Sequence, residues 1–521
     1  MYNQITLKND KPDERIVNTM NTKFEQLKPW LDKAYALNSA LTLFEWDDAT
    51  EAPEDASEMH AKAVEILSSE YYKTIINNDV KVLLEQLSLE SDLNINEKAI
   101  VDDMKKQYDD MEPIPENEYQ SYQGLIARAS SIWAKAKNDN DYNAFAPTLA
   151  QIIHYQKKFI HYRLKASGKT MKPYDLLLDD FEKGFTTEKL DQAFSILKEE
   201  IIPLLKMVVE KNDAIDKTFN HLSYPVEIQR EFNRMLAEHV GFDFKRGVIK
   251  ESAHPFTTNF HNRDVRITTH YHENNLESAI FSTIHECGHA LYEMHISDEI
   301  TGTPVGTGTS MGMHEGQSRL FENNFGRSRA FWMPLFDKLK AAYPENLSDM
   351  TLDQFVLGIN KSTPSLIRTE ADELTYCLHI MVRYEIEKLI FEDKVSIEDL
   401  PKIWNKKYEE YLGVTPATDT EGVLQDIHWA TGAFGYFPSY ALGTAIAAQI
   451  EAHLRTVMPL DDHLRVGNFA PINDYLKDHV HCFGKTKTTQ EILNHLMNED
   501  FNVQYYVDYL KNKYTDLYKD L

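Results

Sequence analysis

Leu276-Glu277-Ser278-Ala279-Ile280-Phe281-Ser282-Thr283-Ile284-His285-Glu286-Cys287-Gly288-His289-Ala290-Leu291 is the stretch on which the fold turns. Its apolar members Leu276, Ile280, Ile284 and Leu291, with Ala279 and Phe281, recur at helical rather than strand spacing. Asn274 and Glu277 stand in capping-box spacing just upstream, so a helix is expected to start there. Residues four apart on a helix differ by about 40° in direction, which puts His285 and His289 on one face with Glu286 beside them. Two imidazoles and a carboxylate so placed can serve a zinc hydrolase as two metal ligands and a general base. Cys287 turns away from both histidines and reads as a small buried packing residue.

A zinc site needs a third protein ligand, and two candidates follow downstream. His295 stands at the last position of the longer pattern H-E-x-x-H-x-x-G-x-x-H, but Tyr292 occupies the place of its helix-breaking glycine. If the helix continues, His295 lies about 240° round from His289 and reads as an exposed or capping residue. Glu315 is the other candidate, after a loop from Thr301 to Gly312 rich in glycine and threonine that can reverse the chain. Met313 to Phe325 then resumes a helical pattern that could pack antiparallel to the first helix. On spacing alone, the default reading of Glu315 is a solvated acid in an acidic chain.

Further segments of the chain carry a resemblance. His254-Pro255-Phe256, Asp264-Val265-Arg266-Ile267-Thr268, the segments around His285 and Glu315, Ile367-Arg368-Thr369-Glu370-Ala371-Asp372 and Gly422-Val423-Leu424-Gln425-Asp426-Ile427-His428-Trp429 follow one another in this order. With Trp46-Asp47-Asp48-Ala49-Thr50 near the start, the set resembles the carboxypeptidase Taq family of zinc-dependent carboxypeptidases. Gly316, His270 and Ala52 depart from residues frequent in that family, and none is a proposed ligand. The resemblance implies a mainly α fold similar to neurolysin and angiotensin-converting enzyme. It also implies one Zn2+ per chain held by His285, His289 and Glu315, replaceable by Co2+ in vitro, and a homodimer acting on peptides.

Such an enzyme must read the substrate's terminal carboxylate, and a guanidinium fork suits that task because it donates two parallel hydrogen bonds. Arg368 is the first candidate by resemblance, with Arg266 and His254 second and with Asp264 and Gln425 in the same motifs. From spacing alone, Arg368 would instead pair with Asp372, four residues on. Asp264 and Arg266 read equally as a cross-strand ion pair. For the oxygen that gains charge during hydrolysis, His428, Tyr440 and Tyr436 are the candidate donors, and resemblance to the neurolysin type of site favours Tyr440. The histidines should have orienting partners, for which Asp264 and Asp372 are the guesses.

Elsewhere the chain reads as helix, with apolar stripes from Phe24 to Leu43, Ala56 to Ile76, Glu97 to Met111 and Leu190 to Val209. Pro225 and Gly241 bracket another, striped by Ile228, Phe232, Leu236 and Val240. The exception is about 245 to 272, where Val265, Ile267 and Thr269 alternate with Arg266, Thr268 and His270. A small sheet beside the motif helix is expected there, able to align an extended peptide. No linker, low-complexity tract or repeat divides the 521 residues, so one helical peptidase unit is expected, with residues 1–20 loosely packed at its start.

The formal net charge of -27 opposes binding to nucleic acid or an anionic membrane. Attraction of a substrate carboxylate must therefore be local, from the metal and from nearby arginines. Cys287, Cys377 and Cys482 are too few for a disulfide framework, and residues 1–20 carry no apolar leader, so the expected compartment is the cytoplasm. Two other readings stay open. A related zinc oligopeptidase would share the metal triad without the carboxylate pocket, and a helical peptide-binding protein would keep the scaffold without hydrolysis.

Overall fold

The computed structural model describes residues 21–521, so the expectation for residues 1–20 lies outside it. The chain is mainly helical, as the stripes imply. Helix α1 (Phe24–Thr50) pairs with α2 (Ser57–Ile75), and α3 (Ile95–Met111) starts at a capping box of Asn94 and Glu97. Helix α4 (Thr187–Val209) is followed by α5 (Val226–Val240), which ends at Gly241, whose φ of 104° only glycine adopts freely. Phe232, Leu236 and Val240 of its stripe are buried.

The sheet found among the described residues stands where the alternation places it. Strands β1 (Gly247–Glu251), β2 (Thr257–His261) and β3 (Asp264–Thr269) lie in the order β1-β3-β2, with β1 parallel and β2 antiparallel to β3. Val265, Ile267 and Thr269 are buried as expected, and Thr268 is buried too because its hydroxyl binds Ser252 and the Phe256 amide.

Against this sheet packs the motif helix α6 (Leu276–Met294). Its cap is Asn275 and not Asn274: the Asn275 side chain accepts from the Ser278 amide. Glu277 pairs with Lys217 at 3.1 Å instead of closing a capping box. His295 terminates the helix, and Cys287 is fully buried.

Helix α7 (Met311–Arg319) returns antiparallel to α6, and the chain then widens into a π-helical turn over Leu320–Phe325. Gly288 permits this approach, because a Cβ there would stand 2.6 Å from the Gln317 carbonyl oxygen and the Ser318 Cα. Helices α8 (Tyr376–Phe391) and α9 (Pro438–Val457) complete the surroundings, and α9 presses Gly443 against Glu315 of α7.

One large apolar core runs through α4 to α9, while Phe24, Leu27, Leu31, Val80, Leu84 and Ile100 form a second with Ile296, Ile300 and Val305. The smaller core thus fastens the N-terminal helices to the loop between α6 and α7. Among the described residues no helix is long and apolar enough to cross a membrane.

Candidate metal centre and carboxylate pocket

His285 and His289 project from one face of α6, their ring centroids 4.9 Å apart. Glu315 Oε2, from α7, lies 3.8 Å from His285 Nε2 and 3.6 Å from His289 Nε2. Donor atoms around a tetrahedral ion with bonds of about 2.1 Å stand roughly 3.4 Å apart, so the three fit a divalent ion of zinc's size. Burial opposes a charge on His285, yet Glu315 and Glu322 outweigh it and raise its pKa, whereas burial beside His314, His285 and Arg319 holds His289 well below the usual imidazole range. His295 is absent from the cluster and faces His481, Nδ1 to Nδ1, at 3.0 Å.

Each histidine is oriented from behind. His285 Nδ1 lies 2.8 Å from Glu322 Oε2, and His289 Nδ1 lies 2.6 Å from His314 Nδ1, whose Nε2 is 2.8 Å from Glu293 Oε1. If both ligands use Nε2 toward the ion, each carries its proton on Nδ1 and donates it backward. Glu293 is fixed in turn by the Thr307 hydroxyl, the Gly308 amide and Asn259. Neither Asp264 nor Asp372 orients these histidines. Asp264 binds Arg266, and Asp372 accepts from the Ser362 hydroxyl and the Thr363, Leu374 and Thr375 amides.

Glu286, buried beside the ligands, receives the Thr257 hydroxyl of β2 at 2.5 Å. Burial raises its pKa, which suits a proton acceptor that must later give the proton back.

A second constellation surrounds Arg368. Its partner is Asp426 rather than Asp372: Nε and Nη2 both donate to Asp426 Oδ1, at 3.0 and 2.9 Å, and Nη1 donates to the Tyr376 hydroxyl at 3.2 Å. Fully buried Arg383 of α8 holds the other carboxylate oxygen of Asp426 at 2.6 Å. Two guanidinium groups thus share one carboxylate, so these three side chains carry a formal charge of +1 in a chain of net charge -27. Gln425 accepts from the Arg368 amide and Arg383 Nη2, and donates to the Leu366 and Glu421 carbonyls, so all of its polar atoms brace this cluster.

His428 and the tyrosines close one side. His428 Nε2 lies 3.3 Å from the Tyr440 hydroxyl, and the Tyr436 ring stands 5.6 Å from that of His428. The Arg368 guanidinium lies 5.0 Å from the Tyr440 ring centre. Burial pushes the His428 pKa down to about 4, so its imidazole is neutral near pH 7. Burial raises both tyrosines, with Glu315 adding to the shift in each, which connects this group electrostatically to the candidate ligand.

The metal triad and the arginine cluster occur together in one scaffold, and that scaffold matches known proteins along its length. The carboxypeptidase Taq (M32) metallopeptidase family model covers residues 26–514. The chain belongs to this family. It is accordingly a metallocarboxypeptidase, a hydrolase of peptide bonds. Carboxypeptidase 1 of Bacillus subtilis is 45% identical over 483 residues, 92% of this chain and 96% of the relative. Thermostable carboxypeptidase 1 of Thermus thermophilus is 34% identical over 512 residues, 96% and 100% respectively. The crystal structure of the M32 carboxypeptidase from Deinococcus radiodurans R1 superposes with a TM-score of 0.92 at 31% identity, covering 96% of this chain and all of that one.

In this metallocarboxypeptidase the remaining candidates take other places. Arg266 forms a two-pronged bond with Asp264 on its own strand, both contacts 2.8 Å, and stacks against Phe260 and Trp46. The pair is therefore within one strand and not across two. His254 is exposed in the loop between β1 and β2, where its carbonyl accepts the Ser252 hydroxyl.

Sequence reasoning missed Glu322, His314, Glu293, Arg319, Arg383 and Thr257. Helical spacing held a signal for three of them. Glu293 is one turn beyond His289, and Arg319 and Glu322 are one and two turns beyond Glu315. Thr257 carried none, because its approach to Glu286 depends on how β2 docks on α6.

Proposed function

We propose that His285, His289 and Glu315 hold zinc, with Glu286 as the general base and Arg368 as the reader of the substrate's terminal carboxylate. A divalent ion held there supplies Lewis acidity, which polarises the scissile carbonyl and acidifies water. Glu286 accepts a proton from the attacking water and returns it to the leaving amine, and Thr257 keeps its carboxylate aimed during both transfers. Neutral His428, with Tyr440 and Tyr436, donates hydrogen bonds to the carbonyl oxygen as it gains charge. Gln425 and Asp426 hold Arg368 in register, while Arg266, Asp264 and His254 border the peptide on the side of the sheet.

The observation that carries this reading is the sharing of Asp426 by two arginines. A lone Arg368–Asp426 pair would be neutral and indifferent to a carboxylate. The second guanidinium restores a positive charge, buried where water screens it little. Peptides with a free C-terminus should therefore be shortened one residue at a time, and the same peptides amidated at the C-terminus should resist. Equal cleavage of both forms, or fragments from internal cuts, would favour an oligopeptidase. Homodimerisation rests on the family resemblance and a cytoplasmic location on the sparse cysteines; light scattering of the purified chain tests the first.

A further inference from the structure

Arg319 lies one turn beyond Glu315 on α7, at the end of the segment that carries this candidate ligand. Its Nε donates to Glu315 Oε1 at 2.6 Å, and its Nη1 donates to Glu322 Oε2 at 3.0 Å. Its guanidinium lies 4.4 Å from the ring centre of Tyr376, whose hydroxyl accepts from Arg368. One side chain therefore touches the candidate third ligand, the group that orients His285, and a neighbour of the carboxylate-reading arginine.

We propose that Arg319 is a positioning residue that fixes Glu315 as a one-oxygen metal ligand and keeps Glu322 behind His285. The inference rests on the assignment of His285, His289 and Glu315 as the metal site. A free carboxylate can bind a cation through one oxygen or two. Holding Oε1 in a charge-assisted bond leaves Oε2 as the donor, and Oε2 is the oxygen that faces both imidazoles. Glu286, Glu315 and Glu322 also place three buried carboxylates around one centre. Without a cation between them, Glu315 and Glu322 repel each other, and the pocket has to be reassembled around each incoming metal ion. The planar fork matters here, because it serves both acids from fixed directions, whereas a lysine ammonium is a point charge on a flexible stem.

The test compares the parent chain with Arg319→Met and Arg319→Lys, each checked for folding by circular dichroism. Zinc affinity is measured by competition with a chromophoric chelator, and the visible spectrum is recorded after loading with Co2+. Arg319→Met should bind zinc about 10–100-fold more weakly. Its Co2+ bands should weaken, as expected when Glu315 chelates through both oxygens and raises the coordination number. Arg319→Lys should fall between the two in affinity, with the loss seen mainly in kcat rather than KM. A folded Arg319→Met with parental affinity and spectrum overturns the proposal, and if that variant does not fold, parental values in Arg319→Lys do the same. A parent chain whose zinc uptake is unchanged by Glu315→Gln and His289→Gln would instead remove the metal assignment, and Arg319's role with it.

Discussion

The Thr257 hydroxyl donates to Glu286 Oε2 across the junction of β2 and α6, so the sheet fixes the carboxylate proposed as the proton acceptor. Glu286→Gln keeps an oxygen for Thr257 and removes the basicity. It should lower kcat/KM by about 10²–10⁴-fold while metal content stays at the parental level. Thr257→Val leaves the base in place but unaimed, and should give a smaller fall confined to kcat. Stopped assays on a tripeptide series, with metal analysis of the same samples, check both. Parental activity in Glu286→Gln would assign the proton transfer elsewhere.

Arg368 and Asp426 yield opposite expectations when changed singly. Arg368→Gln leaves Asp426 neutralised by Arg383, so the chain should fold, but catalysis on free C-termini should fall by about 100-fold or more. The same change should scarcely affect the residual cleavage of an amidated peptide. Asp426→Asn leaves two buried guanidinium groups without their shared acid, and should cost about 3–5 kcal/mol of stability. Urea denaturation of the two variants separates the effects. An Arg368→Gln enzyme that discriminates free from amidated peptides as the parent does would disqualify Arg368.

The candidate metal triad was legible because helical periodicity converts spacing into direction: His285 and His289 needed only α6 to be a helix. Glu315 needed the chain to reverse between Thr301 and Gly312, which local reading permits but cannot require, and resemblance supplied the choice. The arginine cluster was half legible. Arg368 stood out within a motif, but its partner Asp426 lies 58 residues away and Arg383 lies on another helix, so the pairing depends on tertiary packing. Local spacing had suggested Asp372, an acid that the structure uses to organise the loop after Ser362.

Glu182 predicts a pH-dependent stability. This acid is almost fully buried, and its carboxylate accepts the Gly312 amide in the first turn of α7, the helix that carries Glu315. Its Oε2 has no partner among the described residues, and burial raises its pKa from 4.5 to about 7 against the opposing pull of the Gly312 amide. A raised acid pKa means that the folded state holds its proton longer than the unfolded state. The resulting penalty is absent below pH 4.5, grows between pH 4.5 and 7, and is complete above, where it is of order 3 kcal/mol. Glu182→Gln should therefore gain stability relative to the parent as pH rises from 5 to 8. Thermal melts at both pH values test this, and a difference that stays constant with pH would contradict it.

His428 should act without titrating. Its pKa near 4 keeps the imidazole neutral through the working range, with Nε2 toward Tyr440 and Nδ1 without a partner among the described residues. A neutral imidazole can donate to a developing oxyanion, and loss of one such donor typically costs about 3 kcal/mol, or roughly 100-fold in kcat. His428→Gln should show that loss while the shape of the kcat profile between pH 5 and 8 stays parental, because the group removed was not changing charge there. Tyr440→Phe should give a comparable fall, and the double variant should lose less than the product of the two if His428 and Tyr440 support the same oxygen. A pH profile whose acid limb disappears in His428→Gln would show instead that His428 titrates during turnover.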